Sequence, residues 1–225
     1  MAIFGLVLAV LLNYSGTQAK PIVNVSVRGM TLRDTAYTYL DPHGAPSAGD
    51  WYGNELVLVA VIMIIAQLNQ TAEPKSTIHC HNERFCNVFC RAIQRTGAVT
   101  ISGTEGAVLD SSLFTRLDGL GVFVSGYNRA LTVSNSTFEW IGGSAIASWG
   151  DTSYAMNANG SRTIPWPRGP DARDGNYPFG TQILGNVVHD IGIWQKQSSM
   201  WFQATTAQSL VRGNVHFNGP RAGSK

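Results

Sequence analysis

Charge is scarce in this chain. Lys, Arg, Asp and Glu make up 13% of its 225 residues, about half of the ~25% usual for soluble globular chains, whereas 44% are hydrophobic and 24 are Gly. That excludes a disordered polyelectrolyte, a coiled coil and a charge-laced helical bundle, which all depend on charged side chains. Excess positive charge is missing as well. Sixteen Lys plus Arg against 14 Asp plus Glu leave a formal net charge of +2, so no nucleic-acid partner is expected. Cysteine is rare and local: Cys80, Cys86 and Cys90 are the only three. No disulfide framework can span the chain, one bridge would leave one thiol over, and nothing in the sequence selects the pair. Glycine is absent from residues 54–96, although 17 of the 24 lie in residues 101–225. Long apolar runs are lacking too. The run at 56–66 (LVLVAVIMIIA) has 11 residues against the ~20 that a helix needs to cross a bilayer, so no membrane span is expected. The length suits one ordinary domain with its own core.

The first 19 residues hold no charge, with an apolar run at 3–12 and small uncharged residues at Thr17 and Ala19 before Lys20. Residues 1–19 read as a secretory signal peptide cleaved near Ala19, which places the product outside the cell; a buried strand is the alternative. Five Asn-x-Ser/Thr sequons, at Asn13, Asn24, Asn69, Asn135 and Asn159, suit a glycosylated secreted protein. After the second apolar run, HCHNERFCNVFC gathers His79, Cys80, His81, Cys86 and Cys90. The spacing matches no zinc knuckle, and adjacent ligands such as Cys80 and His81 rarely converge on one tetrahedron, so no metal site is expected. No cofactor is indicated; calcium is compatible with the fold read below, but no residue pattern calls for it.

Repeats carry the fold. Placing residues 108–126 (VLDSSLFTRLDGLGVFVSG) above 132–150 (TVSNSTFEWIGGSAIASWG) needs no gap and gives a spacing of 24 residues. Leu109 meets Val133, Ser112 meets Ser136, Phe114 meets Phe138, Leu117 meets Ile141, Gly119 meets Gly143 and Val122 meets Ile146. A third copy carries Ile183, Asn186, Val188, Ile191 and Gly192, a fourth carries Val211 and Asn214, and an earlier one carries Val27 and Leu32. In the fourth copy, His216 falls where the others stack an aromatic, with a slip of about one residue. A period in the twenties describes a solenoid whose turns bury their apolar side only by stacking on neighbours. A leucine-rich repeat needs an x-x-L-x-L-x-x-N frame that is not present; Val, Ile, Phe, Ser and Thr fill the strand positions and Gly the corners. The expected fold is all-β, a right-handed single-stranded parallel β-helix. Ser112, Ser136, Asn186 and Asn214 are expected to stack as a polar ladder that satisfies backbone groups between coils.

The segments SVRGMTLRDTAYTYLDPHGAPSAGDW, GTEGAVLDSSLFTRLDGLGVFVSGYNR, FEWIGGSAIASWG and WQKQSSMWFQATTAQSLVRGNVHFNGPRAG resemble a family of right-handed β-helix, pectin-lyase-like proteins, over residues 24–52 and 93–223. Two departures stand out. In the family the DPHG coil runs on shortly to the GTEG coil, whereas residues 53–89 have no counterpart here. The family also continues past NGPRAG into further coils, whereas this sequence ends at Lys225. A fragment, or translated non-coding sequence, explains both; a lineage-specific insertion is the alternative. The domain reading is therefore a signal peptide at 1–19, first coil or coils at 20–52, an atypical insertion at 53–92 that is helical or disordered, and coils at 93–225, incomplete at the C-terminus and with a long loop at 151–180.

Strand alternation predicts a surface. With Val122, Ile146 and Met200 inward, Phe123, Ala147 and Trp201 face out, followed two residues on by Ser125, Trp149 and Gln203. Sugar rings stack on aromatics while polar groups fix their hydroxyls, so Trp149, Trp201 and Gln203, with Tyr127, Asp151 and Arg221 nearby, are the candidate substrate-binding residues. Packing of the two tryptophans under the long loop is the competing reading. A loop of that length suits a cleft wall. A glycoside hydrolase needs two carboxylates across the bond, and the sequence offers only scattered Asp118, Glu139, Asp151 and Asp190. A lyase of uronic acids needs a base and a cation, and Lys196, His189 and Arg129 are the candidate catalytic residues. Two functions follow: a secreted β-helix acting on or binding polysaccharide, as a lyase of acidic glycans if catalytic, or a noncatalytic extracellular binding or structural module. The expected partner is a polysaccharide or surface glycan, and the expected state a monomer.

Overall fold

Short apolar runs interrupted by Gly, Asn or Asp give strands that end after a few residues, and the chain turns a corner at each interruption. The computed structural model describes residues 8–36, 97–150, 175–221 and 223–224, and among these there are strands and no helix. Five coils follow one another. The first holds β1 (Leu12–Ser15), β2 (Ile22–Val23), β3 (Ser26–Arg28) and β4 (Thr31–Arg33). The second holds β5 (Gly97–Glu105), β6 (Val108–Asp110) and β7 (Leu113–Leu117), and the third β8 (Leu120–Arg129), β9 (Thr132–Ser134) and β10 (Thr137–Ile141). The fourth holds β11 (Ile146–Trp149), β12 (Pro178–Phe179), β13 (Gln182–Leu184) and β14 (Val187–Ile191), and the fifth β15 (Trp201–Ala204), β16 (Leu210–Arg212) and β17 (Val215–Phe217).

Like strands of successive coils pair in parallel and form three sheets. Sheet A runs β1, β5, β8, β11, β15, with β2 on β5 and β12 on β8; sheet B runs β3, β6, β9, β13, β16; sheet C runs β4, β7, β10, β14, β17. This is a parallel β-helix, and the repeat register holds. Leu109 lies beside Val133, Phe114 beside Phe138, Leu117 beside Ile141 and Val122 beside Ile146. The fourth and fifth coils follow with Ile183 beside Val133 and Val211, and the first with Val27 beside Leu109 and Leu32 beside Phe114. His216 takes its place beside Val188 in the inward column of sheet C. Inside, Phe114 and Phe138 are fully buried and stacked at 4.3 Å, a geometry that contributes about 0.5–1.5 kcal/mol beyond burial itself.

The polar ladder is present. Met30 N–H donates to Ser112 Oγ (3.2 Å), Ser112 N–H to Ser136 Oγ (3.1 Å), Ser136 N–H to Asn186 Oδ1 (3.0 Å) and Asn186 N–H to Asn214 Oδ1 (2.9 Å). At each level a side chain completes the backbone pairing that the turn would leave open.

Corners stack as well. Between sheets A and B, Asn24, Gly106, Ala130, Gly180 and Gln208 all have φ between 52° and 71°; between B and C, Gly29, Ser111, Asn135, Gly185 and Gly213 lie between 49° and 69°. Between C and A the series is Asp34, Arg116, Trp140, Asp190 and Asn218, between 50° and 59°. Gly, Asn and Asp suit this left-handed backbone, whereas other residues there cost on the order of 1–2 kcal/mol each. Many corner N–H groups donate to the next coil, as Asn24 to Glu105 O (2.8 Å) and Ala130 to Phe179 O (2.9 Å) do.

Residues 12–15, within the segment read as a leader, form β1 here, in register with Val99 to Ser102, and Leu11, Leu12 and Tyr14 pack on the core. The chain leaves the first coil at Ala36 and re-enters at Gly97; the insertion read at 53–92, with its His and Cys cluster, lies outside the described residues. The end of the loop read as 151–180 is strand, since Pro178 and Phe179 pair with Asn128 and Arg129.

Two orientations are corrected, those of Trp201 and Gln203: Gln203, expected to face out, lies in register with the inward Ser148. Trp201, expected to face out, lies in register with the inward Ile146 and is 1% exposed. Ten residues separate Ile191 from Trp201 where five separate Ile141 from Ile146, so the corner before β15 is longer and the alternation changes phase across it. Trp149 does face out beside Ser125, half-buried against Phe202 at 5.6 Å, and Phe202 takes the outward place expected for Trp201.

Candidate functional site

Sheet C presents its outward side chains in two columns. One is Thr31, Leu113, Thr137, Val187 and Val215; the other, next to the corner, is Arg33, Thr115, Glu139, His189 and Phe217. The inward residues between them, Leu32, Phe114, Phe138 and Val188, are buried, so strand alternation alone directs the second column outward.

That column holds a continuous polar chain. Thr115 Oγ1 donates to Glu139 Oε1 at 2.9 Å, while Glu139 Oε2 lies 3.6 Å from His189 Nε2. The other ring nitrogen, Nδ1, is 2.7 Å from Asp190 Oδ2, and Asn218 Nδ2 donates to Asp190 Oδ1 at 3.3 Å. The imidazole lies flat on Phe217, with ring centres 4.9 Å apart and planes 8° apart. His189, Glu139 and Asp190 keep 20%, 28% and 27% of their side-chain surface, so the group is held firmly yet reachable from solvent. At the coil 1 end stand two cations. Arg116 donates twice to Asp34, at 2.6 and 2.9 Å, and Arg33 Nε lies 3.2 Å from the same carboxylate. The hydrogen bond from Arg116, and then the charges of Arg116 and Arg33, hold the Asp34 carboxyl below its ordinary range.

The three candidate catalytic residues do not come together: among the described residues no hydrogen bond or ion pair joins any two of them. Of the three, only His189 meets carboxylates among the described residues. Lys196 Nζ caps the carbonyls of Gly192 (2.9 Å) and Ile193 (3.0 Å). Arg129 is a corner clamp that donates to the carbonyls of Asn128, Tyr177 and Gly175 at 2.7–2.9 Å, with its guanidinium 4.1 Å from the Tyr127 ring centre, 5.3 Å from Tyr177 and 5.8 Å from Phe179.

The candidate binding residues are dispersed too. Trp201 is in the core with its Nε1–H on Gln203 Oε1 (3.3 Å), Gln203 sits on the exposed fifth coil, and Arg221 is exposed. Asp151 lies outside the described residues. Tyr127 lines a cavity of about 410 Å³ with Gly16, Thr17, Gln18, Ser102, Gly103 and Asn176. Its hydroxyl donates to Glu105, and this bond first, then desolvation, raises the Tyr127 pKa above the ordinary 10.0.

Sequence reasoning selected His189 but left Glu139 and Asp190 among scattered acids. The signal was present. Aligning TFEWI with VVHDI places Glu139 directly beside His189, and the copy before it adds Thr115. Among the described residues no group of three or more His, Cys, Asp or Glu is arranged to hold a metal ion, and no helix is long and apolar enough to cross a membrane. Comparison with family models, with curated proteins and with solved structures gives no match.

Proposed function

We propose that this β-helix is a secreted protein that acts on an acidic polysaccharide by β-elimination, with the outward face of sheet C as its groove. The observation that supports this reading is His189 standing between Asp190 and Glu139 on that face, in one column with Arg33. With Nδ1–H given to Asp190, Nε2 carries the lone pair and acts as the base. It takes the proton from the ring carbon that bears the carboxylate. That electron pair forms the carbon–carbon double bond, the bond from the neighbouring carbon to the glycosidic oxygen breaks, and the departing oxygen takes a proton from the imidazolium or from water. The imidazolium formed on the way lies between two carboxylates already in place, so its charge is stabilised without rearrangement. Coils stack about 4.8 Å apart, which puts Arg33 on the order of 14 Å from His189, enough to hold the carboxylate of another sugar along the same column.

The test is turnover of uronic-acid polysaccharides followed by the ultraviolet absorbance of the unsaturated product. His189→Ala should lower the rate about 100-fold or more, the usual contribution of a positioned base. Glycan binding without any unsaturated product would favour the noncatalytic module instead.

A further inference from the structure

Trp140 stands at the corner that directly follows Glu139, and it obeys none of the rules that place its neighbours. Its corner column is otherwise Asp34, Arg116, Asp190 and Asn218, every one polar, and the left-handed backbone there (φ 54° at Trp140) suits Gly, Asn or Asp and disfavours a bulky ring. Burial returns little, because Trp140 stays 53% exposed. Among the described residues it makes no ring contact, hydrogen bond or cation–π contact through its side chain. Strain kept without a packing return points to a role at the surface.

The next coil carries a second exposed indole. Trp194 is 49% exposed, and its main-chain N–H donates to the main-chain O of Gly142 at 3.1 Å, two residues past Trp140. Gly142 makes room for that ring: a Cβ there would lie 2.6 Å from Trp194 Cδ1 and 2.1 Å from Asp118 O. Two exposed indoles thus stand on adjacent coils at this end of sheet C, where the corner column sets Trp140 between Arg116 and Asp190, next to the Glu139 and His189 pair. A flat apolar surface with a rim of hydrogen-bonding and charged groups matches a pyranose ring, which has an apolar face and polar edges.

We infer that Trp140, with Trp194 on the next coil, is the platform on which a sugar ring of the substrate stacks, so that the neighbouring unit lies over the Glu139–His189 pair. This rests on the reading of sheet C as a glycan groove. It makes Trp140 a binding residue, whereas the base is His189.

The test is Trp140→Gly in the full chain, with polygalacturonate fragments as the acidic probe and cellohexaose as the neutral one. Binding is read by calorimetry and by the shift in tryptophan fluorescence on adding the glycan, and thermal unfolding is read alongside. Glycine suits the backbone of this corner, so the unfolding midpoint should hold or rise while affinity falls about tenfold or more and the fluorescence shift shrinks. A fall in the midpoint of many degrees would make the ring structural and overturn the inference. So would binding within about twofold of wild type, which would leave the groove reading intact. Loss of self-association in Trp140→Gly would instead assign the corner to contact between copies, again overturning it. Wild-type protein that binds neither probe would overturn the groove reading together with this one. Wild-type binding without turnover, lost in Trp140→Gly, would support the platform and defeat only the eliminating role of His189.

Discussion

Asn186 ties two neighbouring coils together through one side chain. Fully buried, it accepts from Ser136 N–H at 3.0 Å through Oδ1, and through Nδ2 it donates to Val133 O at 3.0 Å and to Asn214 Oδ1 at 2.9 Å. Replacing it with Ala leaves the Ser136 N–H without its acceptor, whereas the Val133 carbonyl keeps its place in the ladder with β13. An orphaned buried group costs about 1–3 kcal/mol, and that is the loss expected. Against a total of about 5–15 kcal/mol for a domain, that is a large share. Removed methylene surface is a minor contribution, because Asn brings little apolar area to the core. At about 2–4 °C per kcal/mol for a chain of this size, the midpoint should fall by roughly 2–12 °C. Urea unfolding of Asn186→Ala and Asn214→Ala checks the argument. Asn214 lies on the half-exposed last coil, where water can replace its bonds, and should cost about 1 kcal/mol. Asn186→Asp keeps the shape and the acceptor but turns an oxygen towards Val133 O and Asn214 Oδ1. It should be as damaging as Ala at neutral pH and should recover on acidification, because a carboxyl whose folded pKa is raised regains stability as pH falls through that value. A loss below about 1 kcal/mol for Asn186→Ala, or one equal to that of Asn214→Ala, would refute the ladder as a stabilising device.

Other expectations are direct. Ala130 is exposed at φ 52°, so Ala130→Gly removes about 1–2 kcal/mol of backbone strain against an unfolded-state entropy cost of about 0.4–1 kcal/mol. The unfolding midpoint should rise slightly; a clear drop would show the left-handed corner to be unstrained. Asp34, held down mainly by its hydrogen bond from Arg116, and Asp110, held down mainly by Ser134 and then Asn135, both have carboxyls lowered from the ordinary 3.8. Lowered carboxylates contribute stability above the ordinary value that is lost as pH falls through the folded one. Thermal midpoints should therefore drop below about pH 4, and less steeply in Asp34→Asn and Asp110→Asn. Tyr127, raised through Glu105, gives the opposite limb: its contribution is present below about pH 10 and is lost as pH rises through its folded value, which unfolding of Tyr127→Phe in alkali measures.

The stacking of coils was legible because its signal repeats. Leu109 with Val133 and Phe114 with Phe138 could be paired by eye, since an inward position tolerates few side chains and the corner glycines fix the count between them. The Ser and Asn ladder was readable for the same reason. What failed was phase across a corner of unequal length: the chain between Ile191 and Trp201 is longer than its counterpart, and alternation by itself assigns either face to Trp201. The candidate site was half legible. Its members are far apart in the chain, Thr115, Glu139 and His189, and they meet only because equal places in consecutive copies lie side by side. Residue type misled where it suggested reactivity without place. Arg129 and Lys196 looked like free cations, yet backbone carbonyls at corners occupy both.

The corner columns hold a consequence for how such a protein diversifies. A corner residue such as Asp34 or Ala130 joins the next coil through its main chain, with N–H groups on Arg116 O (3.0 Å) and Phe179 O (2.9 Å), and the core does not consult its side chain. Each corner is therefore a row of sockets, one per coil and about 4.8 Å apart, into which almost any side chain can be set for a modest backbone cost. Recognition chemistry can be rewritten there one coil at a time while Phe114, Phe138 and Asn186 stay untouched. Chains sharing this interior can differ in what they hold, and new binders can be made by editing corners alone.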